Sequence, residues 1–491
     1  MSKGTYGNWV KPRSAGLYGM TFGTTIIMVF TFVTCILVMT LFGPVIGGPF
    51  FLLAAVLLAP LILRVGGRSG YERLAIMMRF FAAGRRGEHT YRAGRFSRVP
   101  GGSYRLPGIA SRLELYSTPT PGLGDFALGH DKRKGFYTMW LRCFPSGGEA
   151  IEQHDIDFMV SQWGAFLTDC CSIADLIQVA VTHESRPESG LRLQSEAQRI
   201  SAGGDVELAR HIVHEAAAIL PPVSARLDSR VALTFKASTA ETRKDPSAAA
   251  VEFARFLPQL MTRLAQAGVT STLMTPSEVC GFVHAAYDPE SEALIEQAVL
   301  DETDHGFTWS NAGPQSAVET RNDYVHDGYR SSVFEMQDAP AGVVSEMVLK
   351  PLIAIDGNIP RKRVTMVFRP HSSSEAIAIS DDDFRNTLFK ARARGGIGSV
   401  SDDLAATAAG QTRQEIANGY GLVRFGVYAT VTHIDGDGSE LARQESVIQQ
   451  RARQCGVLLR RCRHWQAAAF AGGLGIGIVL PEETTISNVL R

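Results

Sequence analysis

The chain has 491 residues, enough for two domains or one large one, with 49 basic and 49 acidic side chains and a formal net charge of zero. That neutrality hides an asymmetry: residues 1–112 hold 14 basic and 2 acidic groups, and the remainder holds 35 and 47. An acidic body behind a basic neck is a poor general binder of nucleic acid, because phosphate charge dominates that affinity, and its surface is better suited to meeting proteins.

From Ser14 to Leu63 there is not one Asp, Glu, Lys, Arg or His. A helix of about 20 apolar residues crosses the roughly 30 Å hydrocarbon layer. The run divides at "LFGPVIGG", which predicts two spans, residues 20–41 and 45–63, closed into a hairpin. Gly43 and Pro44 form its turn, one favouring turn dihedrals and the other lacking an amide proton. A secretory signal has a shorter apolar centre leading into polar sequence, and a soluble helical pair would show a polar stripe. Neither fits here.

Lys3, Lys11 and Arg13 precede the run, and Arg64, Arg68, Arg73, Arg79, Arg85 and Arg86 follow it closely. The positive-inside bias places both termini and the main body on the cytoplasmic side of the cell membrane, with residues 1–18 as a short cytoplasmic start. In "GGRSGYERLAIMMRFFAAGRRG", Leu74, Met77, Met78 and Phe81 fall at helical spacing, predicting a helix with one apolar stripe and a basic back. Such a helix suits an anionic lipid surface. Tyr71, Tyr91, Phe96 and Tyr104 interleave with the arginines, so base stacking on nucleic acid and contact with a partner protein are weighed as other readings. The segment 64–125 is expected to be a juxtamembrane stretch followed by an irregular connector, rich in Pro and Gly over 98–125.

Beyond it, strict alternation marks half-buried strands. Tyr137, Met139, Leu141 and Cys143 share one face of "YTMWLRCF", and Val231, Leu233 and Phe235 do so in "VALTFK". Val364, Met366 and Phe368 follow in "RKRVTMVFRP", then Val423, Phe425, Val427, Ala429 and Val431 in "GLVRFGVYATVTH". This pattern belongs to sheets with one covered face, as in antiparallel or mixed α+β layers. Helices lie between the strands. One carries Phe253, Phe256, Leu257, Leu260, Met261 and Leu264, with a kink at Pro258 and an end at Gly268; another carries Leu441, Ile448, Ala452 and Cys455, closed by Gly456. The expected body is two ferredoxin-like α+β units, 126–300 and 331–491, joined by a polar connector at 301–330.

Signals for chemistry are sparse. Seven cysteines (35, 143, 170, 171, 280, 455, 462) contain no CxxC pair, so neither disulfide nor zinc site is indicated. There is no Gly-Lys dipeptide, hence no phosphate-binding loop, and no G-x-S-x-G. "GGLGIGIVLP" (472–481) lacks the third glycine of a dinucleotide loop and reads as a structural turn running into a strand. His211, His214 and Glu215 of "HIVHE" read as a solvated helix face lacking a third ligand. "DETDH" (301–305) and "SDDDF" (380–384) are carboxylate clusters, the second read as a helix N-cap. No catalytic, cofactor or metal residue is assigned.

The order "YGNWVKPRSAGLYGM", the apolar run, "GRSGYERLA", "RVPGGSYRLPG", "AYDP", "WSNAGPQSAVETRNDYVHDGY", "FEMQDAP" and "IPRKRVTMVFRP" resembles an actinobacterial family of conjugation-associated integral membrane proteins. Its front resembles the small PrgI-type inner-membrane component of type IV secretion systems, and its body is similar to the non-motor N-terminal half of the TraC/TraE-type secretion ATPase. The motor half and its phosphate loop are missing. The resemblance implies a non-enzymatic membrane scaffold of a conjugative or type IV-like transfer apparatus, docking a separate secretion ATPase and other membrane components at the bilayer, with self-association as a further partner and nucleic acid as a minor one. A type VII secretion membrane component and a membrane-anchored enzyme with a scattered site are the alternatives.

Overall fold

The computed structural model describes residues 22–62, 64–65, 67–97, 104–120, 124–147, 151–202, 207–219, 225–340, 344–393, 400–436 and 438–483. The predicted N-terminal start, 1–18, lies outside them. The apolar run forms one helical stretch, α1 (Phe22–Ile62), kinked at Gly43, the one residue inside it with non-helical dihedrals (φ 75°, ψ 174°). The Thr31, Thr34 and Thr40 hydroxyls donate to the carbonyls of Ile27, Phe30 and Leu37 at 2.8, 2.8 and 2.9 Å, so these three polar groups are satisfied within the helix. A Cβ on Gly47 would sit 2.7 Å from Met39 Cα. Eight residues of straight helix span about 12 Å, so the stretch is bent at Gly43. Two short strands follow, β1 (Arg64–Val65) and β2 (Arg68–Ser69), then α2 (Gly70–Arg85), whose N-cap Ser69 accepts from the Glu72 amide.

The body is α+β, built on one sheet of 13 strands whose neighbours all run antiparallel. In chain order these are β3 (Thr90–Arg92), β4 (Leu113–Thr120), β5 (Gly124–Asp131), β6 (Phe136–Pro145), β7 (Leu176–Pro187), β8 (Ala225–Lys236) and β9 (Val269–Leu273). They continue with β10 (Ser316–Glu319), β11 (Tyr324–His326), β12 (Tyr329–Asp338), β13 (Lys362–Pro370), β14 (Val423–Ile434) and β15 (Leu458–Arg461). The order across the sheet is β3-β10-β11-β12-β14-β13-β7-β8-β6-β5-β4, with β9 also on β6 and β15 also on β12. Both stretches read as connectors contribute strands: β4 and the start of β5 lie near the end of the first, β10 and β11 within the second.

The alternating side chains lie where their period puts them. Tyr137, Met139, Leu141, Cys143, Val231, Leu233 and Phe235 pack against α3 (Gln153–Ser172) and the helices Pro246–Ala254 and Leu257–Gln266, through Phe166, Phe253, Leu257, Leu260 and Leu264. Pro258 stands in the first turn of the second helix, so the expected kink is a break between two helices. On the same face, Val364, Val427, Ala429 and Val431 pack on Leu441, Ile448, Ala452 and Cys455 of the helix Gly438–Gln454. Each such side chain contributes about 1.5–3 kcal/mol on burial.

The other face is buried too, and here the half-buried reading is overturned. Trp140, Ala180, Ala232, Val333 and Val367 lie under the helices Pro276–Tyr287 and Gln466–Gly473 and under Leu474, Ile476 and Ile478. These last three belong to the glycine-rich stretch, which is an irregular crossing with no strand in it. Irregular backbone under a sheet must find donors for its carbonyls, and the sheet supplies them. Trp140 Nε1 donates to the Gly475 carbonyl at 2.8 Å, Thr365 Oγ1 to Gly473 at 2.6 Å and Gln178 Nε2 to Ile478 at 3.3 Å. Gly477, at φ 84°, is required because a Cβ would meet Thr138 Oγ1 at 2.0 Å.

The two halves of the sheet repeat one plan. The set β6, β7, β8 and β9 lies in the order fourth, first, third, second, and so does the set β12, β13, β14 and β15. In each set the first strand shares its outer edge between a preceding hairpin strand, β5 or β11, and the fourth strand. Each carries a pair of helices between its second and third strands, Leu191–Ala202 with Glu207–Ile219 and Ser373–Ala393 with Val400–Ala417. The second strands, β7 and β13, pair with each other and join the halves, with Thr182 and Thr365 hydroxyls 3.1 Å apart.

Candidate membrane neck and its mount on the sheet

Of the six neck arginines, Arg68 turns inward. Its side chain is only 17% exposed, with Nη2 2.7 Å from Glu335 Oε1 on β12 and Nε 3.2 Å from Glu72 Oε1. The guanidinium lies over the Trp465 ring at 5.1 Å. Arg460 of β15 reaches the same Glu335 oxygen at 2.7 Å. One half-buried carboxylate thus ties the neck to two strands, a geometry worth more than an exposed pair because fewer waters screen it.

The remaining neck contacts come from α2. The Tyr71 hydroxyl donates to the Leu57 carbonyl, and a Cβ at Gly70 would strike Pro60, so the start of α2 packs directly on the end of α1. Ile76, Phe80 and Ala83 are half-buried. Phe80 stacks on His89 (4.0 Å between centroids) and meets His464 edge-on at 5.1 Å. The back of α2 is therefore apolar and packed, where a basic back was expected. Leu74, Met77, Met78 and Phe81 form the exposed stripe as read, and Arg73, Arg79, Arg85 and Arg86 are exposed around it, with Arg86 2.6 Å from Glu88. Arg64 sits in β1 opposite Ser69.

The stacking groups do not form a platform. Tyr91 is buried, burial pushes its hydroxyl pKa up to about 12, and that hydroxyl donates to the Arg105 carbonyl. Tyr104 is exposed, and the Phe96 side chain lies outside the described residues.

A second feature carried no signal in the sequence. At the seam between the halves, buried Glu184 of β7 accepts from Arg230 Nη2 at 2.8 Å and Arg363 Nη1 at 3.2 Å. Burial alone would raise its carboxyl, but Arg230, Arg363 and Arg186 outweigh that and hold it down at about 2. Arg230 stacks over Phe282 and Arg363 over Phe470, at 4.2 and 4.8 Å. The network continues through Arg186 to Asp228 and Glu292, and from Glu292 to Arg361.

The chemical candidates stay apart. His211, His214 and Glu215 are exposed on the helix Glu207–Ile219. The "SDDDF" acids lie inside the helix Ser373–Ala393, eight to ten residues past its start, so they do not cap it; Asp381 pairs with Arg413 at 2.7 Å. His305 of "DETDH" packs on Ser277 and Phe307. Among the described residues no group of three or more His, Cys, Asp or Glu is placed to hold a metal. All seven thiols are free and buried, and burial raises those of Cys143 and Cys280 to about 12. A shallow hollow of about 350 Å³ lies over Pro258, Gln259, Thr262, Arg263 and Gln266, and a crevice of about 50 Å³ beside Gln178, Tyr428 and Ile478.

Residues 13–72 match the family model described as Domain of unknown function (DUF8461). That stretch takes in α1, the β1–β2 pair, Arg68 and its partner Glu72. No curated protein matches the chain.

Proposed function

We propose that the chain is a non-enzymatic scaffold that mounts a folded α+β body on the cytoplasmic face of the cell membrane and docks a separate secretion ATPase of a conjugative or type IV-like transfer apparatus. The observation that carries the anchoring is the 36-residue apolar stretch Thr25–Pro60, whose most apolar window has a mean hydropathy of 2.5 and is only 6% buried. A core helix of a soluble protein would be mostly covered. At about 54 Å if straight, the stretch exceeds one crossing, and the bend at Gly43 supports two crossings as a hairpin. The arginines after Leu63 favour cytoplasmic termini.

The strand order repeated in the two halves supports two ferredoxin-like units fused edge to edge. The attachment of the neck to two strands of the sheet through Arg68, Glu335 and Arg460 supports a mounting role. The export setting rests on the resemblance of the sequence motifs.

The test is gentle detergent extraction from native membranes. Enrichment of a hexameric ATPase with the chain, and a cytoplasmic reading from a reporter fused after Arg491, are the expected results. Recovery as a lone monomer overturns the docking role; a reporter active only outside the cell, or free solubility without detergent, overturns the anchor.

A further inference from the structure

We infer that α2 lies flat in the headgroup layer of an anionic bilayer, with Leu74, Met77, Met78 and Phe81 in lipid and Arg73 and Arg85 on phosphate groups; this rests on the anchoring proposed above. Four large apolar side chains on one 16-residue helix are 40, 37, 59 and 60% exposed, although the opposite face is packed on the body. The stripe is thus left over after the body has taken its share of the helix. What covers it follows from continuity: Tyr71 and Gly70 fix α2 against the last turns of α1, at the level where a membrane-crossing helix emerges. Charge agrees. Arg73 precedes the stripe and Arg85 extends its line one turn beyond Phe81, so each end carries a phosphate-binding guanidinium. The helix then forms a layer between bilayer and sheet, holding the β12–β15 edge about one helix diameter from the membrane.

All seven native thiols are buried, so the full chain with Met78→Cys or Leu52→Cys takes a single environment-sensitive fluorophore. Each labelled protein is reconstituted into vesicles of phosphatidylcholine alone or an equimolar mixture with phosphatidylglycerol, containing brominated acyl chains. The expected result is quenching at both positions, at position 78 about twofold or more stronger in the mixed vesicles, with Arg73→Gln/Arg85→Gln removing that difference. Quenching at 52 but not 78 leaves the anchor standing and overturns the inference, as it would if a protein partner covered the stripe. Equal quenching at 78 in both lipids overturns the headgroup contact. Quenching at neither position overturns the anchor itself.

Discussion

Arg68 and Glu335 are 267 residues apart in the chain and 2.7 Å apart in the fold. Between them they join the segment that follows the apolar helix α1 to β12, the fourth of eleven strands across the sheet, with Arg460 on the same carboxylate. Arg68→Ala leaves Glu335 paired with Arg460, whereas Glu335→Ala leaves two arginines facing each other. The first variant loses about 1 kcal/mol of body stability and the second about 2–3 kcal/mol. Limited proteolysis at residues 62–70 checks this, with faster cleavage in both variants and the larger change for Glu335→Ala.

The seam between the halves depends on a single buried carboxylate. Glu184→Gln strands Arg230 and Arg363 without a counter-charge, at a cost of about 3–5 kcal/mol. Adding Arg363→Met recovers part of that loss, because one of the two stranded charges is gone. Urea unfolding of the two variants measures the difference.

Acid destabilises the body in two stages. Burial keeps His326 neutral, and Arg363 and Arg361 outweigh nothing but add to it, against the hydrogen bond to the Tyr287 carbonyl that favours charge; the folded pKa is about 4 against 6.5. Burial, aided by Arg230, also puts His183 at about 4. Unfolded histidines take up protons first, so stability is full above about pH 6.5 and is lost as pH falls toward 4. Glu184, held at about 2 against 4.5, adds a second loss as pH falls from about 4.5 toward 2. Melting temperatures across pH 7 to 3 show the two stages, and His326→Gln shrinks the first to the part that His183 supplies.

Gly477→Ala tests the cover on the second face. The added methyl meets Thr138 Oγ1 at 2.0 Å on a backbone at φ 84°, so either the strand or the crossing must shift, costing about 1–3 kcal/mol. Thr138→Gly in the same chain restores part of the loss. Trp140 fluorescence reads the result, since its indole hydrogen bond to Gly475 breaks if the segment lifts.

Within α1, Gly47→Leu separates the backbones at Met39 and Gly47, whose approach leaves no room for a Cβ. Blue-native electrophoresis and thermal aggregation in detergent should show a less stable anchor while an isothermal melt of the body is unchanged.

Period-two patterning in the sequence located the core faces of β6, β8, β13 and β14 because Tyr137, Leu233, Val364 and Val427 are large and apolar. It misplaced the opposite faces for an equally physical reason. Thr365 is polar and donates to the Gly473 carbonyl of the cover, and a strand that hydrogen-bonds its own cover reads like one that faces water. The short strands β3, β10 and β11 escaped notice because three or four residues carry no period. In the neck, the stripe from Leu74 to Phe81 was legible from spacing alone. The inward turn of Arg68 was not, since its partner lies in another half of the chain and a run of arginines gives no sign of which one is buried.

The hydrogen-bonded ladder runs without interruption from β3 to β4, and the neck meets it at β12. Any tilt imposed on the anchor is therefore delivered sideways through the strands as to a stiff beam clamped near one end. The helix pairs beyond β7 and β13 are carried by that beam, so under the proposed anchoring they swing together when the membrane surface turns.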